Sequence, residues 1–250
     1  MDQFRALMDK IRKAGNVFAL TGAGVSTLCG IPDFRTDQSG VWDRFDRNRI
    51  FNIDVFMREP RCFYEFAREY IYTLGSITPG PAHFLLAELE KKGLLSAVAT
   101  QNIDGLHQAA GSRTVFELHG HPRTSHCLSC GRAYNLEETG RRLEGHPWPA
   151  CDCGGAIKPD VVFYGEQLPQ HALSGSMQAA AACDLLLVLG TSLVVYPAAY
   201  IPQIALESGG ELILMNKTPT PFDRSASLCI KGDLAEVCPK LLEMIRDLEP

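Results

Sequence analysis

Val17-Phe18-Ala19-Leu20-Thr21-Gly22-Ala23-Gly24-Val25-Ser26 is the stretch from which the fold can be read. Val17 to Leu20 is a short apolar run of strand length without polar alternation, the mark of a strand buried on both faces. A glycine turn follows at once. Glycines there let the backbone bend sharply and approach a phosphate, beside the free N–H donors of a following helix. The turn is only G-x-G, because Thr27 stands where the usual fingerprint has a third glycine. It reads equally well as an ordinary strand-to-helix turn.

Outward from this stretch the pattern repeats. Further apolar runs lie at Leu94 to Ala99, Val115 to Leu118, Leu185 to Leu189 and Glu211 to Met215, with a sixth candidate at Leu228 to Ile230. Helical patterns separate most of them, at Pro81 to Lys92, Gln170 to Ala182 and Pro197 to Ser208. Strands alternating with helices predict an α/β fold, a Rossmann-like parallel sheet with helices on both faces. Phe4, Leu7, Met8 and Ile11 predict an opening amphipathic helix; Leu234, Val237, Leu241, Leu242, Ile245 and Leu248 predict a closing one. Two segments break the rhythm. Residues 36–78 read as a helical insertion, and 121–158, rich in Gly, Pro and paired cysteines, as a separate module. The expected organisation is a Rossmann-type domain from 1–35, 79–120 and 159–250, with 36–78 and 121–158 together forming a small domain.

Apolar residues make up 46% of the 250-residue chain and charged ones 21%, enough for a packed core. A net charge of -5 disfavours binding to a phosphate backbone, so no direct nucleic-acid binding is expected. It leaves room for a basic partner such as a Lys-rich peptide. Charges interrupt the N-terminus, and the most apolar stretch, Ala179 to Leu189, is too short to span a bilayer. No membrane partner is expected, and the chain reads as cytoplasmic. Nine cysteines, an odd count, argue against a disulfide framework. Cys29, Cys62, Cys183, Cys229 and Cys238 are expected to pack as small apolar groups.

The other four cysteines form two close pairs, Cys127-Leu128-Ser129-Cys130 and Cys151-Asp152-Cys153. Two such pairs converge on a tetrahedral ion, and four sulfurs leave no open coordination position, so a structural Zn²⁺ is expected. Such ligation contributes about 10–16 kcal/mol of apparent binding energy, enough to decide whether a segment with so small a core folds. The second pair is C-x-C and needs a tight loop.

Further motifs sit past strand ends, where parallel sheets bind ligands. Thr100-Gln101-Asn102-Ile103-Asp104 offers polar groups for an amide, a ribose or a water, although Asn102 or Asp104 could simply cap the next helix. Leu118-His119-Gly120 offers an imidazole that titrates near neutrality and can serve as general base, although a lone histidine is more often structural. Ile31-Pro32-Asp33-Phe34-Arg35 could cover a nucleotide or be a proline-fixed loop. Gly190-Thr191-Ser192 could be a second phosphate cradle, and Asn216 and Asp233 could meet the adenosine half or serve as turn and cap residues.

In this order, Gly22-Ala23-Gly24-Val25-Ser26, Gly30 to Arg35, Thr100 to Asp104, Leu118-His119-Gly120, the four cysteines, Pro159 to Glu166 and Gly190 to Pro197 resemble the sirtuin family over essentially the whole chain. The resemblance implies an NAD-dependent protein-lysine deacetylase. It would release nicotinamide and free lysine and pass the acetyl group to ADP-ribose as O-acetyl-ADP-ribose. It implies NAD in the cleft beside the small module, with Ala23, Gly24, Ser26 and Thr27 lining the phosphate turn. Phe34 would shield the reactive ribose and Arg35 would hold phosphates. Gln101 would contact ribose, Ile103 and Asp104 the nicotinamide carboxamide, and Thr191, Ser192, Asn216 and Asp233 the adenosine half. His119 would be the base, with Asn102 orienting a ribose hydroxyl or a water; zinc would be held by Cys127, Cys130, Cys151 and Cys153. Acetyl-lysine proteins would bind as an extended strand along Val162, Phe163, Gly165 and Glu166 on one side and Val194 and Tyr196 on the other. Members that prefer acidic acyl groups carry a tyrosine and an arginine three apart in the helical insertion. Here those positions align with Ala67 and Tyr70, so neutral acyl groups are expected. Mono-ADP-ribosyl transfer in the same cleft is an open alternative. A non-catalytic zinc module would lack His119 or Asn102, and a dehydrogenase would carry a complete glycine fingerprint.

Overall fold

The computed structural model describes residues 2–32 and 40–247. Phe34, Arg35 and Leu248, named above, lie outside the described residues. Strands are β1 (Val17–Thr21), β2 (Ala97–Thr100), β3 (Val115–Glu117), β4 (Gly120–Cys127), β5 (Ala133–Asn135), β6 (Ile157–Val161), β7 (Leu185–Leu189), β8 (Glu211–Asn216) and β9 (Leu228–Lys231). Helices are α1 (Asp2–Lys13), α2 (Val41–Arg44), α3 (Arg47–Ile50), α4 (Ile53–Arg58), α5 (Arg61–Tyr70), α6 (Pro81–Lys91), α7 (Leu106–Ala110), α8 (Leu136–Leu143), α9 (Gln170–Ala182), α10 (Tyr200–Glu207) and α11 (Leu234–Arg246).

Two compact units form. The first comprises Met1–Asp33, Thr78–Leu118 and Gln170–Pro250. Its six-stranded sheet has the order β3-β2-β1-β7-β8-β9, and every neighbouring pair is parallel. All five residues of β1 and of β7 are buried, as expected of strands covered on both faces. On one face Val17, Ala19, Val98, Leu187 and Ile213 pack with Leu7, Met8 and Ile11 of α1, Leu85, Leu86 and Leu89 of α6, and Leu241 and Ile245 of α11. α9 and α10 attach on the remaining side, where Gly175 faces the Phe116 ring so closely that an added Cβ would lie 2.5 Å from it. The strand order reverses between β1 and β7, and the carboxyl ends there are the expected ligand crevice.

The second unit comprises Phe34–Ile77 and His119–Pro169. Residues 159–169, expected with the parallel sheet, belong here because β6 pairs antiparallel with β4 in a three-stranded sheet of order β5-β4-β6. Phe51, Phe56, Phe63, Tyr64 and Phe163 form a cluster of ring contacts with centroids 5.0 to 6.0 Å apart. The insertion and the cysteine module are tied together by the Tyr64 hydroxyl, which donates to Ile157 O at 2.6 Å, and by Arg68, which donates to Leu143 O at 2.8 Å.

Candidate active site and metal centre

The first site lies at the carboxyl ends of β1, β2 and β7. Gly22 N–H donates to Leu189 O and Gly24 N–H to Gly190 O. A Cβ on Gly24 would lie 2.7 Å from Gly190 Cα, so the glycines are required by the crossing of two backbones. No long helix follows. Two short 3-10 turns, Ala23–Val25 and Thr27–Cys29, stand in its place, with Val25 N–H closing on Gly22 O and Ser26 N–H on Ala23 O. The helix expected after the turn is therefore corrected to two 3-10 turns, in which the Gly24, Val25 and Ser26 N–H groups are engaged.

Ser26, 1% exposed, is the centre of a network. Its hydroxyl donates to Asp104 Oδ2 at 2.7 Å, and Asn102 Nδ2 donates to it at 3.0 Å. His83 Nε2 lies 3.3 Å from the same oxygen, while Gly80 N–H donates to His83 Nδ1 at 3.1 Å. Because Nδ1 accepts, the ring proton sits on Nε2 and points at Ser26. Burial lowers the His83 pKa and keeps the ring neutral, against the opposing pull of Asp104. Asn102 Nδ2 also reaches Gly22 O at 3.2 Å, so its side chain binds the glycine turn and does not cap a helix. Asp104 does both, since Oδ1 accepts the Leu106 N–H at the start of α7 at 2.9 Å. Both carboxylate oxygens keep a second lone pair for a ligand's N–H donors.

Alongside, Gln101 Nε2 donates to Thr191 Oγ1 at 2.9 Å and joins the ends of β2 and β7. Thr191 Oγ1 also accepts Leu193 N–H at 3.3 Å and steadies Leu193, whose φ of 55° is costly for a branched side chain. Ala23, Gly24, Ile103 and Ser192 are half-buried, and Thr27 is exposed. Farther along the sheet, Asp233 caps α11 by accepting Ala235 N–H at 2.9 Å, and Asn216 donates to Thr218 O at 2.8 Å; both occupy turn and cap roles. Sequence reading missed Thr21, His83 and His107. His107 is 1% exposed, its Nε2 lies 2.9 Å from Thr21 Oγ1, and its Nδ1 has no partner among the described residues. Burial, reinforced by His83 at 4.8 Å between ring centroids, pushes its pKa down to about 3. The available signal was the Gly80-Pro81 start of α6, which places His83 at the third helical position, where a side chain can return to the cap N–H.

In the second unit His119 is half-buried and follows Leu118, whose N–H donates to Thr100 O at 2.9 Å. The His119 carbonyl accepts Val162 N–H at 2.9 Å. Gly120, at φ 70°, lies against β6 so tightly that a Cβ would fall 1.9 Å from Asp160 O. Of the expected peptide residues, Phe163 is only 1% exposed, and its N–H donates to Glu166 at 2.8 Å. Its ring therefore belongs to the core. Glu166 also pairs with the buried Lys158 at 2.8 Å, and Lys158 donates to Val161 O at 2.7 Å and lies 4.2 Å from the Phe163 ring centroid. Val162 is half-buried, whereas Gly165, Val194 and Tyr196 are exposed. Ala67 is fully buried and Tyr70 stacks on Phe66.

The metal centre is compact. The sulfurs of Cys127, Cys130, Cys151 and Cys153 all lie within 4.8 Å of one another. Cys127 and Cys153 are 3.5 Å apart, and Cys130 and Cys151 3.6 Å. A zinc tetrahedron with bonds of about 2.3 Å spaces its sulfurs by about 3.8 Å, so the four fit Zn²⁺. The donor chemistry agrees. The Cys153 N–H and the Tyr134 hydroxyl lower the Cys151 thiol to about 6. Gly155 N–H pulls Cys153 down, but the neighbouring sulfurs outweigh it and raise that thiol to about 12. Only a cation lets all four ionise together.

Residues 22–197 match the Sir2 family. The chain belongs to this family. An NAD-dependent protein deacetylase of Thermotoga maritima is 43% identical over 242 residues, covering 96% of this chain and 98% of that protein. A solved Sir2 variant with deacetylated p53 peptide and 3'-O-acetyl ADP ribose superposes with a TM-score of 0.91 at 43% identity, over 97% of this sirtuin and 98% of that chain. A Sir2 structure with a propionylated peptide gives 0.89 at 42% identity, over 97% and 98%. No helix among the described residues is long and apolar enough to cross a membrane.

Proposed function

We propose that this sirtuin removes acetyl and other neutral acyl groups from protein lysine side chains, consuming NAD and giving nicotinamide, free lysine and O-acetyl-ADP-ribose. The observation that carries this reading is the saturated Ser26 network, which fixes Asn102 and Asp104 at the carboxyl ends of the central strands in a family member. Bound NAD supplies the glycosidic bond that is exchanged for a bond to the acyl oxygen. Asp104 and Ile103 would hold the nicotinamide carboxamide, and Asn102 and Gln101 the ribose. Ala23, Gly24, Thr27 and Arg35 would line the phosphates, while Ser26, buried and with its hydroxyl and N–H both engaged, would act by holding Asn102 and Asp104. Phe34 would exclude water, and Thr191, Ser192, Asn216 and Asp233 would address the adenosine half. His119 would take the ribose proton as general base. Acetyl-lysine proteins would lie as a strand against Val162, Phe163, Gly165 and Glu166, with Val194 and Tyr196 opposite. Phe163 would contribute the second lone pair of its backbone carbonyl there, because its N–H donates to Glu166 and the carbonyl already accepts the Glu166 N–H at 3.0 Å. The four cysteines would hold zinc as a structural ion. A reducing, cytoplasmic setting suits nine cysteines with no disulfide among them.

The test is incubation of the protein with NAD and an acetyl-lysine peptide. Nicotinamide and O-acetyl-ADP-ribose should appear together, and His119→Ala should abolish turnover while NAD still binds. ADP-ribose gained by an acceptor protein without acetyl loss would reject deacylation in favour of ADP-ribosyl transfer. The acetyl form of one peptide should turn over faster than its succinyl form, since Ala67 and Tyr70 offer no cation; faster desuccinylation would overturn that preference.

A further inference from the structure

Tyr134 lies on β5 opposite Ser125 of β4, beside Cys127, Cys151 and Ile157 in the small core of the cysteine module. It is 3% exposed. Its hydroxyl has one contact with a metal-ligand atom, the Cys151 sulfur at 3.0 Å, and an O–H can only donate to a thiolate. The ring is held as well. The Arg132 guanidinium lies 5.3 Å and the Arg142 guanidinium 5.1 Å from its centroid. Both arginines also grip Asp152, the single residue between Cys151 and Cys153, at 2.7 and 2.8 Å, and Arg142 donates to Ala150 O at 2.9 Å. Strand β5, helix α8 and the tight C-x-C loop thus meet at one aromatic ring.

We propose that Tyr134 is a positioning residue of the metal centre, whose hydroxyl orients and stabilises the Cys151 thiolate as a zinc ligand. The proposal rests on the four-sulfur site holding zinc. A hydrogen bond to a ligating sulfur lowers its charge density and fixes the direction of its remaining lone pairs, and such outer partners are worth about 10–100-fold in metal affinity. The exposed ion pairs to Asp152 are worth less, under about fivefold, because water screens them. The hierarchy explains how a C-x-C loop, one residue shorter than the usual pair, presents both sulfurs to one ion. The arginines hold the loop in place and the tyrosine aims one of its ligands.

Tyr134→Phe keeps the ring between β5 and the arginines and removes only the donor, so the test compares this variant with the parent and with Asp152→Ala. Zinc release to a chromogenic chelator should accelerate about tenfold or more in Tyr134→Phe and under about fivefold in Asp152→Ala. In the cobalt(II)-substituted proteins the sulfur-to-metal charge-transfer band should shift in Tyr134→Phe and stay in place in Asp152→Ala. Parent-like release from Tyr134→Phe, faster release with an unshifted band, or an equal or larger effect from Asp152→Ala would each overturn the proposal. A parent protein that retains no zinc would remove the metal reading, and this proposal with it.

Discussion

Ser26 has one hydrogen to give and two lone pairs to receive, and all three are engaged by Asp104, Asn102 and His83. Ser26→Ala leaves buried polar partners unmatched, at a cost of about 1–3 kcal/mol. The loss should appear as a lower Tm and a fall of about tenfold or more in kcat/KM for NAD, because Asn102 and Asp104 lose their common anchor. An unchanged kcat/KM would show that the network serves stability alone. His107 makes a pH prediction. Its folded pKa, about 3, is depressed below the unfolded value of 6.5, so the stability it contributes is complete above pH 6.5 and is lost as pH falls toward 3. Between pH 7 and 5 the loss is about 2 kcal/mol. Denaturant unfolding of the parent at both values should show it, and His107→Asn should be less stable at pH 7 but flatter in pH. A parallel slope in the variant would exclude His107 as the source.

At the scale of elements, the brace between Lys158 and Glu166 sets the shape of the 162–166 segment. Lys158 has two carbonyls, a carboxylate and an aromatic face around its ammonium. Lys158→Met leaves the Pro159 and Val161 carbonyls without their donor and Glu166 without its cation, and should cost about 1–3 kcal/mol. KM for the acyl peptide should rise more than KM for NAD; equal changes would mean that the brace is not linked to peptide docking. The strands of the parallel sheet were legible because each carries a short, largely apolar run, unbroken in β7 and interrupted or ended by a polar residue in β3, β8 and β9. The sheet β5-β4-β6 was not. β4, Gly120-His121-Pro122-Arg123-Thr124-Ser125-His126-Cys127, has no apolar run, and its pairing with β6 shifts register between Gly120 and Ser125. The four cysteines were readable from spacing, whereas the 3-10 turns after β1 depend on Gly190, which is far away in sequence. His83 and His107 carry no motif and acquire meaning only when the helices α6 and α7 bring them beside Ser26 and Thr21.

At the scale of the whole molecule, the parallel-sheet core and the cluster around the cysteines are of unequal kind. The parallel sheet buries a continuous apolar layer, whereas around the cysteines the buried cluster is Cys127, Tyr134, Cys151 and Ile157. Stripping zinc with a chelator should therefore erase amide-exchange protection in β4, β5 and β6 and abolish activity, while β1, β7 and β8 stay protected. Full activity in the metal-free protein would reject the structural role. The topology has a further consequence for biosynthesis. β1 sits between β2 and β7, yet β7 leaves the ribosome only after the whole cysteine module has been made. At roughly 5–20 residues per second, one edge of β1 waits on the order of 10–30 s for its neighbour. Throughout that interval a nascent chain carries an unpaired apolar edge, so a chain stalled before residue 185 is a natural client for a holdase and a poor candidate for soluble release.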